Sequence, residues 1–315
     1  MKILVTGCAG FIGSHLCEKL LASHQIVGMD NFCDFYDPEI KRNNISGFLK
    51  HRNFRLVEAD LREVESLNQI FSQNNFDMVI HLAAMAGVRP SIANPRLYNE
   101  VNIMGTINLL EECSKNDVRK FIFASSSSVY GKNKRIPFSE SDPVDNPISP
   151  YASSKKAGEL ICHTYHYLEK MSIACLRFFT VYGPRQRPDL AIIKFMRKIL
   201  AEQPVTVYGD GTTSRDYTYI DDIIAGVIRT IDFINSGWKY EIFNLGESHS
   251  IELNEMISIL EKVTGKKAVK EFQPLQPGDV DITYADISKS KEILGYDPRT
   301  DFEEGIRKTL EWLKL

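Results

Sequence analysis

Tyr151 and Lys155, four residues apart after Ser149-Pro150, are the side chains best placed in this chain to move a proton. Proline favours the first turn of a helix, and positions four apart share a helix face, so phenol and ammonium fall together. A free tyrosine, with a pKa of about 10, is a poor base at neutral pH. An ammonium about 4 Å away favours the phenolate by roughly 4 kcal/mol at intermediate dielectric, before burial subtracts from it. Such a tyrosine can exchange a proton with a sugar or alcohol hydroxyl while hydride moves to or from a nicotinamide. Ser126, 25 residues upstream at the end of an apolar run, could hydrogen-bond that hydroxyl. Its plainer role, shared with Ser125, Ser127 and Ser128, is a polar strand-end turn. A second Tyr-x-x-x-Lys match, Tyr130 to Lys134, continues with glycine and charge and reads as a loop.

A hydride needs an acceptor. Gly7, Gly10 and Gly13 follow the apolar run Ile3-Leu4-Val5 and precede a helical stripe of Ile12, Leu16, Leu20 and Leu21. This G-x-x-G-x-x-G spacing permits a tight turn and rests a pyrophosphate on a helix N-terminus opened by Phe11 and Ile12. Asp30 ends the second apolar run, 17 residues beyond Gly13. A carboxylate there accepts from ribose hydroxyls and repels a 2′-phosphate. Asn31 and Phe32, not arginine, come next, so NAD is expected rather than NADP. Asp60-Leu61 closes the third run where an adenine edge would lie, and Leu82-Ala83-Ala84 follows the fourth. His81 reads as a packed strand-end residue rather than a catalyst.

The elements that must position these groups alternate. Strands are expected around Ile26–Met29, Phe54–Val57, Met78–Ile80, Phe121–Phe123 and Ala174–Leu176, separated by helical patterns such as Leu61, Val64, Leu67, Ile70. Long helices are expected from about Pro95 to Asn116 and from Pro150 to about Lys170. Buried strands divided by helices predict an α/β fold, a Rossmann-type doubly wound parallel sheet. Past Thr180 turn signals multiply (Gly183-Pro184, Gly209-Asp210-Gly211, Pro277-Gly278) and the alternation becomes irregular. The expected division is residues 1–180 as the dinucleotide-binding domain and 181–315 as a smaller α/β substrate domain. Part of 215–235 is expected to pack back on the first.

The totals bound the setting. A chain of 315 residues with 43% hydrophobic and 25% charged residues is an ordinary globular composition. A net charge of −3 argues against nucleic acid as a partner. Six scattered cysteines without a C-x-x-C fit a reducing cytoplasm. Val5-Thr6-Gly7-Cys8 superficially matches a lipoprotein cleavage box, but its apolar lead is too short for a signal peptide. No apolar run reaches the ~18 residues of a membrane span, and no membrane partner or metal site is expected.

Taken together, TGCAGFIG, Asp30, Asp60-Leu61, Leu82-Ala83-Ala84, Asn102, Ser126, Tyr151/Lys155 and Arg215-Asp216-Tyr217 resemble the extended short-chain dehydrogenase/reductases over nearly the whole chain. DNFCDFYDPEIKR (30–42), AGVRPS (86–91), RFFTVYGPRQRPD (177–189) and QPGDV (276–280) are similar to the nucleotide-sugar 4-epimerase branch, most of all the UDP-glucuronate 4-epimerases. The resemblance implies a tightly held NAD that is reduced and reoxidised in each turnover. Tyr151 would take the proton of the C4 hydroxyl, the 4-keto sugar would rotate, and hydride would return to its other face. It further implies that Asn102 belongs to the cofactor site, Lys155 holds the nicotinamide ribose, Arg215 the diphosphate and Asp279 the uridine side. A homodimer built from the two long helices is implied as well.

Positions 127 and 128 then discriminate. Related 4,6-dehydratases carry an Asp-Glu pair where Ser127 and Ser128 stand, and related decarboxylases carry glutamate at the place of Ser128. With hydroxyls only, both chemistries lack a proton-transfer group. Ser126, Ser127 and Ser128 with Thr180 and Arg187 could instead bind a sugar carboxylate by charge-assisted hydrogen bonds. Holding that carboxylate would also hinder decarboxylation of the 4-keto acid. Arg185 and Arg89 are alternative guanidinium donors, each of which could equally serve a surface ion pair. Cys33 and Asp281 depart from the asparagine and proline usual in the branch. The leading expectation is interconversion of UDP-glucuronate and UDP-galacturonate. A neutral or N-acetylated UDP-sugar is the alternative within the same chemistry, and a non-catalytic dinucleotide sensor the alternative outside it.

Overall fold

The computed structural model describes residues 1–275 and 278–314. Gln276 and Pro277 of the QPGDV segment, and Leu315, lie outside the described residues. Seven parallel strands form the central sheet: β1 (Lys2–Thr6), β2 (Gln25–Asp30), β3 (Phe54–Glu58), β4 (Met78–His81), β5 (Lys120–Ser126), β6 (Ser172–Phe178) and, later in the chain, β10 (Tyr240–Leu245). Their order is β10-β6-β5-β4-β1-β2-β3. This is the doubly wound arrangement, whose order reverses between β1 and β4 and leaves a crevice at the carboxyl ends there.

Both faces of the sheet are buried, and the side-chain period of two sorts its residues. Ile3, Val5, Ile80, Ile122, Ala174 and Leu176 enter one core. Leu4, Val79, Phe121, Phe123, Ile173 and Cys175 enter the other. The continuous apolar runs of the sequence are therefore what a strand covered on two sides requires.

The helix begun at Pro95 is interrupted rather than uniform. Pro95–Asn99 passes through a π-helical turn, Glu100–Met104, into Gly105–Lys115. The helix Pro150–Glu169 is capped by the Ser149 hydroxyl, which accepts from the backbone of Ala152 at 3.1 Å.

Past Phe178 the chain builds two small sheets. One joins β7 (Thr180–Tyr182), β9 (Ser214–Tyr219) and β11 (Ser250–Glu252); the other pairs β8 (Val205–Tyr208) with β12 (Lys270–Gln273). Between them the chain returns to the large sheet over a longer stretch than 215–235. The helix Ile220–Asn235 packs on β5 and β6, and β10 extends the sheet beyond β6. No described helix is long and apolar enough to cross a membrane.

Candidate active site

The first βα turn is shaped by steric necessity. Gly7 has a φ of +71°, and a side chain there would press its Cβ to 2.8 Å from the Ala83 nitrogen. A Cβ on Gly13 would fall 2.0 Å from the Gly7 carbonyl oxygen. The following helix, Phe11–Leu20, has Gly10 at its N-cap and no side-chain cap. Its first amides are thus left for an anion.

Around this turn lies a cavity of about 590 Å³. Gly7, Gly10, Phe11, Ile12 and Gly13 line one end, with Asp30 and Asn31 from the end of β2 and Asp60-Leu61 following β3. Leu82, Ala83 and Ala84 form the wall beyond β4, and Tyr151 and Lys155 the far end. These positions come from four successive strand ends and two helix N-termini, so the crevice at the switch point gathers residues far apart in the chain. The cradle and the carboxylate fit a dinucleotide: close backbone approach for a pyrophosphate, and an acceptor for ribose hydroxyls.

Asp30 is buried at 8% exposure and accepts from the backbone of Ala9 (3.1 Å) and Phe32 (2.9 Å). Burial raises its pKa, and the ammonium of Lys41 opposes the rise. Lys41 donates to the Cys33 carbonyl at 2.8 Å. Asp60 has its oxygens taken by Arg62 (2.9 and 2.8 Å) and Asn31 (2.8 Å), chiefly the Arg62 contact, and its pKa falls to about 2.

Asn102 does not line this cavity. Buried in the π-helical turn, it clasps the Met85 backbone from both sides, accepting from its nitrogen at 2.8 Å and donating to its oxygen at 2.9 Å. It shapes the wall from behind. His81 accepts from Thr6 Oγ1 through Nδ1 (2.7 Å) and donates from Nε2 to Thr106 Oγ1 (3.0 Å), the tautomer fixed because Thr106 itself donates to the Asn102 carbonyl. Burial and the charge of Lys155 depress its pKa to about 3. It is a neutral packing residue.

Tyr151 and Lys155 share the cavity, as their four-residue spacing predicts. Lys155 donates to the Ala124 carbonyl at 2.7 Å and lies over the Phe123 ring at 5.1 Å, and burial lowers its pKa to about 8. The Tyr151 pKa is raised by burial, while hydrogen bonding with Ser126 and the charge of Arg187 pull it down. A buried lysine needs an acceptor, and the strand-end carbonyl supplies one.

Ser126 caps the 3-10 turn Ser127–Tyr130, accepting from the Ser128 amide at 3.1 Å. Ser126 is buried and Ser127 and Ser128 half-buried, and the described linings of the two cavities include none of the three. The decoy Tyr130 is structural: its hydroxyl donates to Asn244 at 2.7 Å and accepts from Arg177 at 3.0 Å.

A second cavity of about 300 Å³ adjoins the first, sharing Thr180 and Leu190. Arg89, Arg215 and Asp279 line it with Asp189, Tyr208 and Tyr217. Arg89 donates to Asp279 at 2.7 Å and lies over the Tyr208 ring at 4.5 Å. Arg215 donates to the Ser214 carbonyl at 2.8 Å. Arg185 lines neither cavity; it pairs with Glu18 at 2.7 Å on the helix Phe11–Leu20. Of the three candidate guanidiniums only Arg187 reaches the cavity of Tyr151.

Several residues of the site escaped the sequence reading. Phe35, Tyr36 and Lys41 wall the first cavity, and their only signal was membership of DNFCDFYDPEIKR. Glu159 and Arg177 form a fully buried bidentate pair (2.8 and 2.9 Å) below Ser125, whose hydroxyl donates to Glu159 at 2.6 Å. An arginine inside an apolar strand and a glutamate one turn after Lys155 could have pointed to it.

Residues 4–309 match the family model described as GDP-mannose 4,6 dehydratase. The UDP-glucuronate 4-epimerase of Thermodesulfobacterium geofontis is 44% identical over 313 residues, covering 99% of this chain and 95% of that protein. The structure of the Bacillus cereus UDP-glucuronic acid 4-epimerase, solved with UDP-glucuronic acid and NAD, superposes with a TM-score of 0.93 at 40% identity, covering 100% and 99% of the two chains. The Thermotoga maritima UDP-glucose 4-epimerase, solved with UDP-glucose, gives 0.91 at 32% identity, again over 100% and 99%.

Proposed function

The chain belongs to the GDP-mannose 4,6-dehydratase-like extended short-chain dehydrogenase/reductases, and from that premise we propose that it is an NAD-dependent UDP-glucuronate 4-epimerase, an isomerase forming UDP-galacturonate through a 4-keto sugar. The observation that carries the uronate is Arg187, a guanidinium in the same cavity as the Tyr151 phenol. The identity to named UDP-glucuronate 4-epimerases supports it.

In this reading the Gly7–Gly13 turn holds the pyrophosphate, Asp30 a ribose, and Lys155 the nicotinamide ribose. Bound NAD supplies the acceptor, and afterwards the donor, of the C4 hydride. Tyr151 removes the C4 hydroxyl proton and returns it, with Ser126 holding the same oxygen. Arg215 meets the diphosphate, where a planar fork suits two phosphate oxygens, and Asp279 the uridine side. Ser127, Ser128, Thr180 and Arg187 gather the C5 carboxylate, which keeps the 4-keto acid from losing carbon dioxide. Hydroxyls at 127 and 128 offer no acid or base for dehydration, so membership of a family named for a dehydratase does not carry that reaction here.

The division of labour follows the chain: residues 1–180 bind the dinucleotide, and 181–315 supply most of the nucleotide-sugar contacts. Met104 (51% exposed), Leu160 (58%) and Leu168 (64%) on the two long helices support a homodimer burying those faces. Six free cysteines, five of them buried, support a cytoplasmic setting.

The test is turnover of UDP-glucuronate against UDP-glucose and UDP-N-acetylglucosamine on purified protein, read by NMR. UDP-galacturonate as the preferred product is expected. Turnover of a neutral sugar alone would replace the uronate, and no product from any of them would favour a dinucleotide sensor.

A further inference from the structure

The guanidinium of Arg187 is gripped on two sides. Asp189 takes its edge, accepting from Nε at 3.0 Å and from Nη2 at 2.7 Å. The ring of Phe35, from the segment that follows Asp30, lies 5.1 Å from its centre. A guanidinium has five N–H donors, and this grip engages two of them, both on the Nε/Nη2 edge. No described protein acceptor meets Nη1. Asp189 itself lines the second cavity while Arg187 lines the first, so the pair bridges the two.

We infer that Asp189 and Phe35 are positioning residues that fix Arg187 by one edge and one face, so that its free Nη1 end meets the substrate anion. The inference rests on the uronate reading above. An arginine side chain has many rotamers, and an unheld one would lose that freedom on meeting the substrate; here much of the loss is taken in the fold. Asp189 also repels an incoming carboxylate. That repulsion is weak, because Asp189 is 45% exposed to water and sits at the opposite edge of the guanidinium. Ordering therefore outweighs repulsion, and Asp189 aids the uronate rather than competing with it. Phe35 excludes water from the face of the cation, which strengthens its attraction for a carboxylate.

Binding of UDP-glucuronate, UDP-glucose and UDP to the NAD-loaded protein tests this by calorimetry. For Asp189→Asn we expect the Kd of UDP-glucuronate to rise about tenfold or more, with UDP-glucose and UDP within about twofold. KM should follow Kd while kcat changes less. Asp189→Glu should recover part of the loss, and Phe35→Leu should show a smaller rise confined to UDP-glucuronate. Retained NAD and an unchanged melting temperature show that the variants fold. Equal weakening toward all three ligands would make Asp189 a nucleotide contact. Unchanged or tighter UDP-glucuronate binding would make it inert or a competitor. Either result overturns the inference while leaving the wild-type preference intact. Wild-type protein without a preference for UDP-glucuronate would instead remove the uronate reading, and the inference with it.

Discussion

Lys155 gives its ammonium to the carbonyl oxygen of Ala124, 2.7 Å away near the end of β5, and so ties the helix Pro150–Glu169 to the strand that carries Ser126. Burial lowers its pKa to about 8, against 10.5 for an ordinary lysine. The folded chain then bears the cost of a buried charge below about pH 8. That cost is relieved as pH rises from 8 to 10.5, because the unfolded chain still binds the proton there. Wild type should gain stability relative to Lys155→Met across this window, by up to about 3 kcal/mol. Urea titrations of both proteins at pH 7.5, 9 and 10.5 measure it, and parallel curves would contradict it.

Tyr151→Phe should lower epimerisation by at least about a thousandfold while NAD stays bound. The Tyr151 ring packs edge-on against Tyr98, centroids 6.3 Å apart at 82°, and phenylalanine keeps that contact. Loss of activity would then report the hydroxyl alone. Product formation by NMR and released NAD by chromatography are the two readings.

Arg185 and Arg187 should separate cleanly. Arg187→Ala should raise KM for UDP-glucuronate by roughly ten- to a hundredfold, as loss of a charge-assisted hydrogen bond of about 1.5–3 kcal/mol implies. Arg185→Ala removes only the partner of Glu18 and should leave KM within about twofold. Steady-state kinetics on the two variants decide it.

The contrast between these arginines marks how far the sequence could be read. Periodicity carried the sheet, since strands covered on both faces must be apolar at every position, as Ile3, Leu4 and Val5 are. Chain-local geometry carried the glycine turn, and the Pro150 helix start put Tyr151 and Lys155 in one cavity. What a side chain does with its free end is set by neighbours distant in sequence. Arg185 finds Glu18, Arg89 finds Asp279 across 190 residues, and Asn102 turns to Met85 instead of the cofactor cavity. No spacing rule holds those choices, and the interrupted helix at Glu100–Met104 left no mark in the apolar stripe.

His81 should make the protein acid-labile. Its folded pKa of about 3 lies below the ordinary 6.5, so the unfolded chain binds the extra proton between those values. Stability should fall as pH drops through 6.5 toward 3, by up to about 5 kcal/mol from this residue. His81→Gln, though less stable at pH 7, should show a shallower decline over that range in denaturant titrations. An equal decline would place the acid sensitivity elsewhere.

The pair Glu159–Arg177 meets β5 at Ser125, next to Ser126, and both side chains are 1% exposed. Glu159 also accepts from Ser125, and Arg177 donates on to Tyr130, which donates to Asn244 on β10. Removing one partner leaves a buried charge unpaired, and such losses run to about 3–5 kcal/mol. Replacing both by apolar groups of similar size restores much of that, since desolvation of the pair offsets most of its attraction. Glu159→Gln should therefore destabilise strongly, while Glu159→Leu with Arg177→Met should be closer to wild type in chemical denaturation. The double variant should still lose activity, because the Ser125 hydroxyl loses the carboxylate that holds it next to Ser126. If the double variant is as unstable as the single, the pair is a net source of stability rather than a positional brace.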